Sequence, residues 1–299
     1  MIRAVPTARF VEHLFCVHGF WFSLRADHSD VRDLFFRLYC QFRRSHATKP
    51  PTDAILEYKG DRFHWRIGER ASASSDLRKA LIGLEAALCE AIIRSQQCSV
   101  SIHAATLYAG SSAALIVGPS GAGKSTLSVL LSQRGLTVAS DDVVLIHRTA
   151  LRVLPIPRCF HLDNNSVRLL EEEGVELPQA WKCWSFIGPR DLHQKPIPKC
   201  RVGTLIYMRG PRAEHPELKP ISQAEMTARL LSETGRGPLC DAETVRVLSR
   251  ISSGASCFTL VPGSLGQTAE ALSLLVLRHE NKVTSQREYG LAGSTSSPW

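Results

Sequence analysis

The chain has 299 residues and a formal net charge of +8, and its composition is 44% hydrophobic and 21% charged. These proportions are ordinary for a folded protein with a sizeable core, and they exclude wholesale disorder. The basic residues are scattered and form neither a run nor a known nucleic-acid motif, so no nucleic-acid partner is expected.

Cysteine usage and the N-terminus bear on the cellular compartment. The nine cysteines include no C-x-x-C pair, which argues against a disulfide framework or a zinc ribbon and favours reduced thiols. Glu12, His13 and His18 interrupt the apolar residues of the N-terminus, so neither a signal peptide nor a membrane span is predicted. We therefore expect a cytoplasmic protein without membrane association.

The first part of the chain is predicted to form a small α+β segment. Apolar residues recur at helical spacing over Val31 to Arg44 and over Leu77 to Arg94, which predicts two helices. Between them, two alternating runs over Ile55 to Ile67 surround Lys59-Gly60-Asp61, a pattern typical of a hairpin.

The middle of the chain predicts a βαβ unit. A strand is predicted over Val100 to Tyr108, and the short apolar run Ala113 to Val117 is typical of a strand buried on both faces. A glycine-rich loop follows, then a helix over Ser125 to Arg134 and an apolar strand over Leu136 to Ala139. This order predicts a parallel pairing of the two strands that flank the helix.

Beyond residue 150 the pattern predicts alternating helices and strands among proline-rich turns. Helices are predicted over Asn165 to Glu173, Ser222 to Thr234, Asp241 to Ile251 and Thr268 to Arg278, and strands over Arg201 to Met208 and Ser256 to Val261. We divide the chain into an N-terminal segment (1–95), a P-loop domain (96–280) and a polar tail (281–299) that is predicted to be disordered.

The loop GPSGAGKS matches the pattern G-x-x-x-x-G-K-[ST] between a predicted strand and a predicted helix. Its glycines let backbone N–H groups turn toward an anion, and the start of the helix adds a partial positive charge. Lys124 is expected to reach the β- and γ-phosphates, and the Ser125 hydroxyl to ligate Mg²⁺. The sequence therefore predicts that ATP binds with Mg²⁺ at Gly118, Pro119, Ser120, Gly121, Ala122, Gly123, Lys124, Ser125 and Thr126.

Three further residues are candidates for the chemistry. Asp141 and Asp142 follow the strand after the loop helix, where open α/β sheets bind ligands. Two such carboxylates can divide the binding of Mg²⁺ and the removal of a proton from a hydroxyl, although an Asp pair can also be a plain cap. His103 precedes the phosphate-loop strand and could end near the phosphates, but a single histidine is more often structural.

These residues together resemble the kinase domain of HPr kinase/phosphorylase. The resemblance rests on Ser101 to Ala105, the phosphate loop, Arg134-Gly135 and Ser140-Asp141-Asp142, in that order. It is closer to the HPr-kinase-related kinases of proteobacteria, whose N-terminal α+β segment and Pro-x-Pro-Arg element are similar to residues 8–95 and 155–158 here. The resemblance implies an α/β fold with a P-loop kinase domain of the HPr kinase/carboxykinase type.

The resemblance also implies roles for individual residues. Asp141 would be the catalytic base, Asp142 a metal ligand and His103 a contact of the transferred phosphoryl group, while Arg158 would contact a phosphate or the substrate. The HPr enzymes form hexamers, which implies a homo-oligomer. The glycine-rich signature that follows the Asp pair in true HPr kinases is not found here, so neither HPr as the acceptor nor the reverse phosphorolysis is expected. Some relatives phosphorylate a serine of a peptide, and the resemblance therefore implies that the acceptor is a Ser or Thr hydroxyl of a peptide or small protein.

Two other functions remain open on the residues alone. One is a nucleotide-dependent switch or ATPase that gates a partner, which would need a metal site but no base for an external hydroxyl. The other is a small-molecule kinase or carboxykinase-like enzyme of the same fold. The basic net charge slightly favours an acidic acceptor but does not separate a protein from a metabolite.

Overall fold

The computed structural model describes residues 13–109, 112–156, 158–177, 186–187, 200–210, 212–234 and 242–276. The predicted tail over 281–299, Pro157 and the prolines at 178, 189, 196 and 198 lie outside these residues. The chain forms two compact units, and both are mixed α/β. The first unit comprises residues up to Gln97 together with Ile156–Cys159, and the second contains Cys98–Pro155 and the described residues from Phe160 onward.

The first unit contains a five-stranded sheet and two α-helices. In chain order its elements are β1 His13–Val17, β2 Phe20–Ala26, α1 Ser29–Tyr39, a 3₁₀ turn Cys40–Phe42, β3 Thr52–Lys59, β4 Arg62–Ile67, β5 Arg70–Ser74 and α2 Leu77–Ser95. The strand order is β1-β2-β3-β4-β5, in which only β2 and β3 are parallel neighbours. The predicted hairpin and both predicted helices are confirmed, whereas β1, β2 and β5 were not predicted.

Local sequence explains the start and the packing of α2. The Asp76 side chain accepts hydrogen bonds from the backbone N–H groups of Arg78 and Lys79, and so caps the helix. The apolar residues that recur along α2 are buried and pack against the sheet, as their helical spacing predicts.

The second unit is built around a six-stranded sheet. The described strands of the whole unit, which also include those of two smaller sheets, are β6 Ser99–Ile102, β7 Ala104–Ala109, β8 Ser112–Val117, β9 Thr137–Ser140, β10 Val144–His147, β11 Val153–Pro155, β12 Phe160–His161, β13 Phe186–Ile187, β14 Arg201–Met208, β15 Glu217–Pro220 and β16 Ser256–Val261. Its helices are α3 Lys124–Gln133, α4 Asn164–Glu172, α5 Gln223–Ser232, α6 Ala242–Ser253 and α7 at 265–276.

The six strands have the order β15-β16-β14-β8-β7-β9. β14 is parallel to both β8 and β16, so these three strands end at the same edge of the sheet. One face is covered by apolar residues of α3, α4 and α7. The other face is covered by α5, α6 and the small sheet β11-β10-β6. The central strands are therefore buried on both faces, as the apolar run of β8 predicts.

Two predictions for the second unit were wrong in detail. The strand predicted over Val100 to Tyr108 is interrupted at His103, where the chain passes from β6 in the small sheet to β7 in the large one. The predicted parallel pairing across the loop helix is also absent, because β7 lies between β8 and β9 and is antiparallel to both. β8 and β9 thus run in the same direction without hydrogen bonds to each other.

The strands β11, β12, β13 and β15 were not predicted, whereas the elements that were predicted beyond residue 150 agree to within a few residues. The strands over Arg201–Met208 and Ser256–Val261 have the predicted bounds, and all four predicted helices are present within the described residues. No helix within the described part of the chain has the length and apolar character needed to cross a membrane.

Candidate functional site

The phosphate-loop sequence begins where β8 ends, at the edge where the parallel strands finish. Gly118 has φ +153°, and a Cβ atom at this position would lie 2.7 Å from the carbonyl oxygen of Met208, the last residue of β14. Only glycine allows the loop to pass this close to the neighbouring strand. Gly121 has φ +79°, but a Cβ atom there would meet nothing within 4 Å. The first glycine is thus required by packing and the second by backbone conformation.

Helix α3 begins directly at Lys124, with Gly123 as its N-cap residue. No side chain caps this helix start, and its first turn contains no acidic residue. By contrast, α2, α4 and α5 each have an Asp or Ser that caps the N-terminus. The first backbone N–H groups and the positive end of the helix dipole at α3 therefore remain suited to an external anion.

The side chain of Lys124 folds back over the loop. The residue is 5% exposed, and its ammonium group donates hydrogen bonds to the carbonyl oxygens of Gly118 at 2.6 Å and Pro119 at 3.0 Å. Burial lowers the pKa of Lys124, while Glu233, Asp141 and Asp142 act in the opposite direction. The loop thus contains a buried ammonium group whose charge is favoured by three carboxylates of the same unit.

His103 lies between two of these carboxylates. Its Nε2 is 2.8 Å from Oδ1 of Asp142, and its Nδ1 is 3.3 Å from Oε2 of Glu233. The hydrogen bond to Asp142 is the main cause that raises the pKa of His103, against desolvation and the positive charge of Lys124. The break between β6 and β7 places His103 here, because β7 is the antiparallel neighbour of β8.

The two aspartates follow β9 and differ in exposure. Asp141 is buried at 2% exposure, whereas the side chain of Asp142 is 43% exposed. Asp142 has φ +70°, in the left-handed region that Asp tolerates better than most residues. The backbone N–H of Val143 donates to the carbonyl of Asp141 and tightens this turn. The turn directs the two neighbouring carboxylates into different environments.

The structure therefore places Lys124, Asp141, Asp142 and His103 in one group of interacting side chains. Thr126, also predicted, is buried and donates a hydrogen bond from its hydroxyl to Ser166 at 2.9 Å. Ser125, one position after the start of α3, is partly exposed.

Arg158 belongs to the first compact unit, whereas Lys124, His103 and the two aspartates belong to the second. Its guanidinium is 3.4 Å from the carboxylate of Glu85, and the two side chains are 11% and 2% exposed. Glu85 also accepts a hydrogen bond from the backbone N–H of Cys159 at 2.8 Å. Arg158 therefore neutralises a buried carboxylate of α2, and a phosphate contact by Arg158 remains a prediction.

Glu233 was not predicted as a site residue. It follows the last residue of α5, and a carboxylate at a helix C-terminus is disfavoured by the helix dipole. A glutamate at this unfavourable position was a signal in the sequence that the residue has a role outside its helix. The sequence did not show that its partner is His103, which is 130 residues away along the chain.

Within the described residues, no cluster of three or more His, Cys, Asp or Glu side chains has the arrangement of an all-protein metal site. Mg²⁺ does not need such a cluster, because it commonly binds through one or two carboxylates together with nucleotide phosphates and water. The Ser125 hydroxyl and one aspartate after β9 fit that requirement.

Comparisons with known proteins found similarity among solved structures, but none among family models or curated sequences. No family model matches the chain, and no curated protein matches its sequence. Among solved structures, the chain is similar to the Hpr(Ser) kinase/phosphatase from Coxiella burnetii, with 15% identity and a TM-score of 0.35. The similarity covers 65% of this chain and 99% of that chain. Because it is weak, the function proposed below rests on the residues of this chain's own site.

Proposed function

We propose that this chain is an ATP- and Mg²⁺-dependent phosphotransferase that moves the γ-phosphoryl group to a Ser or Thr hydroxyl of a peptide or small protein. The observation that carries the proposal is the position of Lys124, on a phosphate loop with an uncapped helix start and with its charge favoured by the carboxylates of Asp141, Asp142 and Glu233. Nucleotide binding belongs to the domain over residues 96–280.

The loop supplies the binding of the phosphates. Gly118 and the residues from Ser120 to Gly123 provide backbone N–H groups around an anion, and α3 adds the positive end of its dipole. Lys124 exchanges the loop carbonyls that it now contacts for phosphate oxygens. The Ser125 hydroxyl and one aspartate hold Mg²⁺, which when bound neutralises charge on the phosphates.

Burial favours an exchange of the roles expected for the two aspartates. A base must meet the hydroxyl of an external acceptor, and Asp142 has the more exposed carboxylate. Asp141 is buried, and its charge favours the charged form of Lys124, so it is suited to be a ligand of the metal and to balance charge around the loop. We therefore propose Asp142 as the base and Asp141 as the metal ligand.

The exposed carboxylate also favours a kinase over a nucleotide-dependent switch. A switch needs the phosphate loop and a metal ligand, both of which Lys124, Ser125 and Asp141 supply. It has no use for a second carboxylate that is open to solvent and fixed by a hydrogen bond from His103. A kinase needs such a carboxylate, because the base must reach the hydroxyl of an external acceptor.

The test compares Asp141→Asn and Asp142→Asn in the full chain. Asp142→Asn should keep Mg²⁺-dependent ATP affinity and lose phosphoryl transfer by about 10²- to 10⁴-fold, the usual contribution of a general base. Asp141→Asn should weaken ATP affinity and its Mg²⁺ dependence together. ATP affinity is measured by calorimetry, and transfer by single turnover from γ-labelled ATP into a library of Ser- and Thr-containing peptides.

Three results separate the alternatives. If Asp141→Asn loses transfer and Asp142→Asn loses ATP affinity, Asp141 is the base, and the assignment of the chain as a kinase still holds. If the wild-type chain binds ATP, transfers no phosphoryl group, and binds a partner protein with an affinity that depends on ATP, the nucleotide-dependent switch is favoured. If the wild-type chain has no affinity for Mg²⁺-ATP, the proposed function is wrong.

A further inference from the structure

His103 is held at both ring nitrogens, and the two sides of the ring differ in exposure. On the Nδ1 side, the Glu233 side chain is 11% exposed, whereas on the Nε2 side the Asp142 side chain is 43% exposed. The ring itself is 26% exposed. Glu233 is therefore the sheltered partner of His103, and Asp142 is the partner at the open edge of the site.

The backbone joins the same two segments independently of the side chains. The N–H of His103 donates to the carbonyl of Glu233 at 2.7 Å, and an antiparallel bridge joins Ile102 to Thr234. The hydroxyl of Thr234 donates in turn to the carbonyls of Leu230 and Leu231 at the end of α5. The end of α5 is thus attached to the break between β6 and β7, and this attachment fixes where the Glu233 carboxylate lies.

The helix gains nothing from a carboxylate at this position. The carbonyl end of a helix repels negative charge, and a basic or neutral residue would suit the end of α5 better. Glu233 instead directs its charge at His103 and Lys124, both of which belong to the candidate site.

We propose that Glu233 is a positioning residue that acts through His103. In the protonated form of His103, the carboxylate of Glu233 accepts a hydrogen bond from Nδ1–H, which turns Nε2–H toward Asp142 and holds Asp142 in one orientation beside the phosphate loop. The effect on nucleotide binding rests on the proposed function, but the contact between Glu233 and His103 does not.

A competing explanation is that Glu233 acts on Lys124 by charge alone. The two explanations differ for Glu233→Gln, since glutamine keeps an oxygen that accepts a hydrogen bond but has no charge. Glu233→Ala removes both. Glu225→Ala is the matched control, because Glu225 is an exposed carboxylate of the same helix whose side chain contacts Arg229.

The first measurement uses the full chain without nucleotide. Imidazole N–H protons are observed by ¹H–¹⁵N NMR at about pH 6, below the ordinary histidine pKa of about 6.5, and His103 is assigned by its loss in His103→Ala. The Nδ1–H of His103 should be protected from solvent exchange in wild type, Glu225→Ala and Glu233→Gln, and exposed to it in Glu233→Ala. An Nδ1–H that stays protected in Glu233→Ala would overturn the proposal.

The second measurement is the Mg²⁺-dependent affinity for ATP by calorimetry. Glu233→Ala and His103→Ala should weaken it by the same factor, on the order of threefold to tenfold, which is the size of one hydrogen bond. The double variant should be no weaker than either single variant, and Glu233→Gln should retain wild-type affinity. Multiplied effects in the double variant, or a Glu233→Gln as weak as Glu233→Ala, would instead favour the action on Lys124 and refute positioning.

The two measurements distinguish a failure of the proposed function from a failure of the positioning role of Glu233. If wild type binds no ATP, the proposed function is wrong, while the protected Nδ1–H still decides the contact. If Glu233→Ala does not fold, the nearly isosteric Glu233→Gln still decides between a hydrogen bond and a charge by its ATP affinity.

Discussion

The approach of the phosphate loop to β14 predicts different effects for alanine at two of its glycines. In Gly118→Ala, the new Cβ would lie 2.7 Å from the Met208 carbonyl oxygen, which is backbone and cannot move aside by a rotamer change. We expect about 1–3 kcal/mol from the overpacking and about 1–3 kcal/mol from the sparsely populated backbone conformation, or roughly 2–6 kcal/mol in total. In Gly121→Ala only the cost of positive φ remains, about 1–2 kcal/mol, because a Cβ there meets nothing within 4 Å.

The assay is urea unfolding of the full chain, followed by a probe of the second unit, together with ATP affinity by calorimetry. Gly118→Ala should lose more stability than Gly121→Ala by at least about 1 kcal/mol. Gly121→Ala should nevertheless lose ATP affinity, since its added methyl group occupies the space that we assign to the phosphates. Equal losses of stability in the two variants would refute the argument that Gly118 is required by its contact with β14.

Three further outcomes are expected. Lys124→Ala should weaken ATP binding by about 30- to 1000-fold, because the exchange of carbonyl for phosphate partners gains about 2–4 kcal/mol over two bonds; unchanged affinity by calorimetry would contradict this. Tyr39 is fully buried, and its hydroxyl has no hydrogen-bond partner among the described residues. Burial raises its pKa well above 10.0, so its contribution to stability is complete below about pH 10 and falls as the pH rises toward the folded-state pKa. Tyr39→Phe should therefore be as stable as wild type at pH 8 and lose less stability at about pH 11 in urea unfolding, and equal alkaline losses would count against it. Burial raises the pKa of Cys200 to about 11, so iodoacetamide at pH 8 should modify it at least about 100-fold more slowly than the exposed Cys98 by mass spectrometry.

Much of the secondary structure followed from the sequence, because its causes are local. The apolar periodicity of α2 and the alternation in the β3–β4 hairpin need no distant contact, and both predictions are confirmed. The strand and helix around the phosphate loop also agree with the prediction. Glycine spacing and helix caps are properties of a few consecutive residues, so a single sequence contains them.

The pairing of the strands was harder to predict from the sequence. Val100 to Tyr108 has the composition of one strand, yet the chain changes sheets at His103, because β6 pairs with β10 and β7 pairs with β8. The position of β7 between β8 and β9 depends on how three segments compete for hydrogen-bond partners. No local pattern contains that outcome, since strand propensity describes a residue's fit to a sheet and not its neighbour.

The candidate site likewise has features that the sequence contains and features that only the folded chain shows. The sequence by itself determined which residues are candidates for phosphate binding and acid–base chemistry: the loop with Lys124, the aspartate pair and His103. Only the tertiary structure decided that Glu233 contacts His103 from 130 residues away, and that Asp141 is buried while Asp142 is partly exposed. The reason is physical: residue types and short spacings decide what a side chain can do, whereas burial and hydrogen-bond partners depend on segments that meet only when the chain has folded.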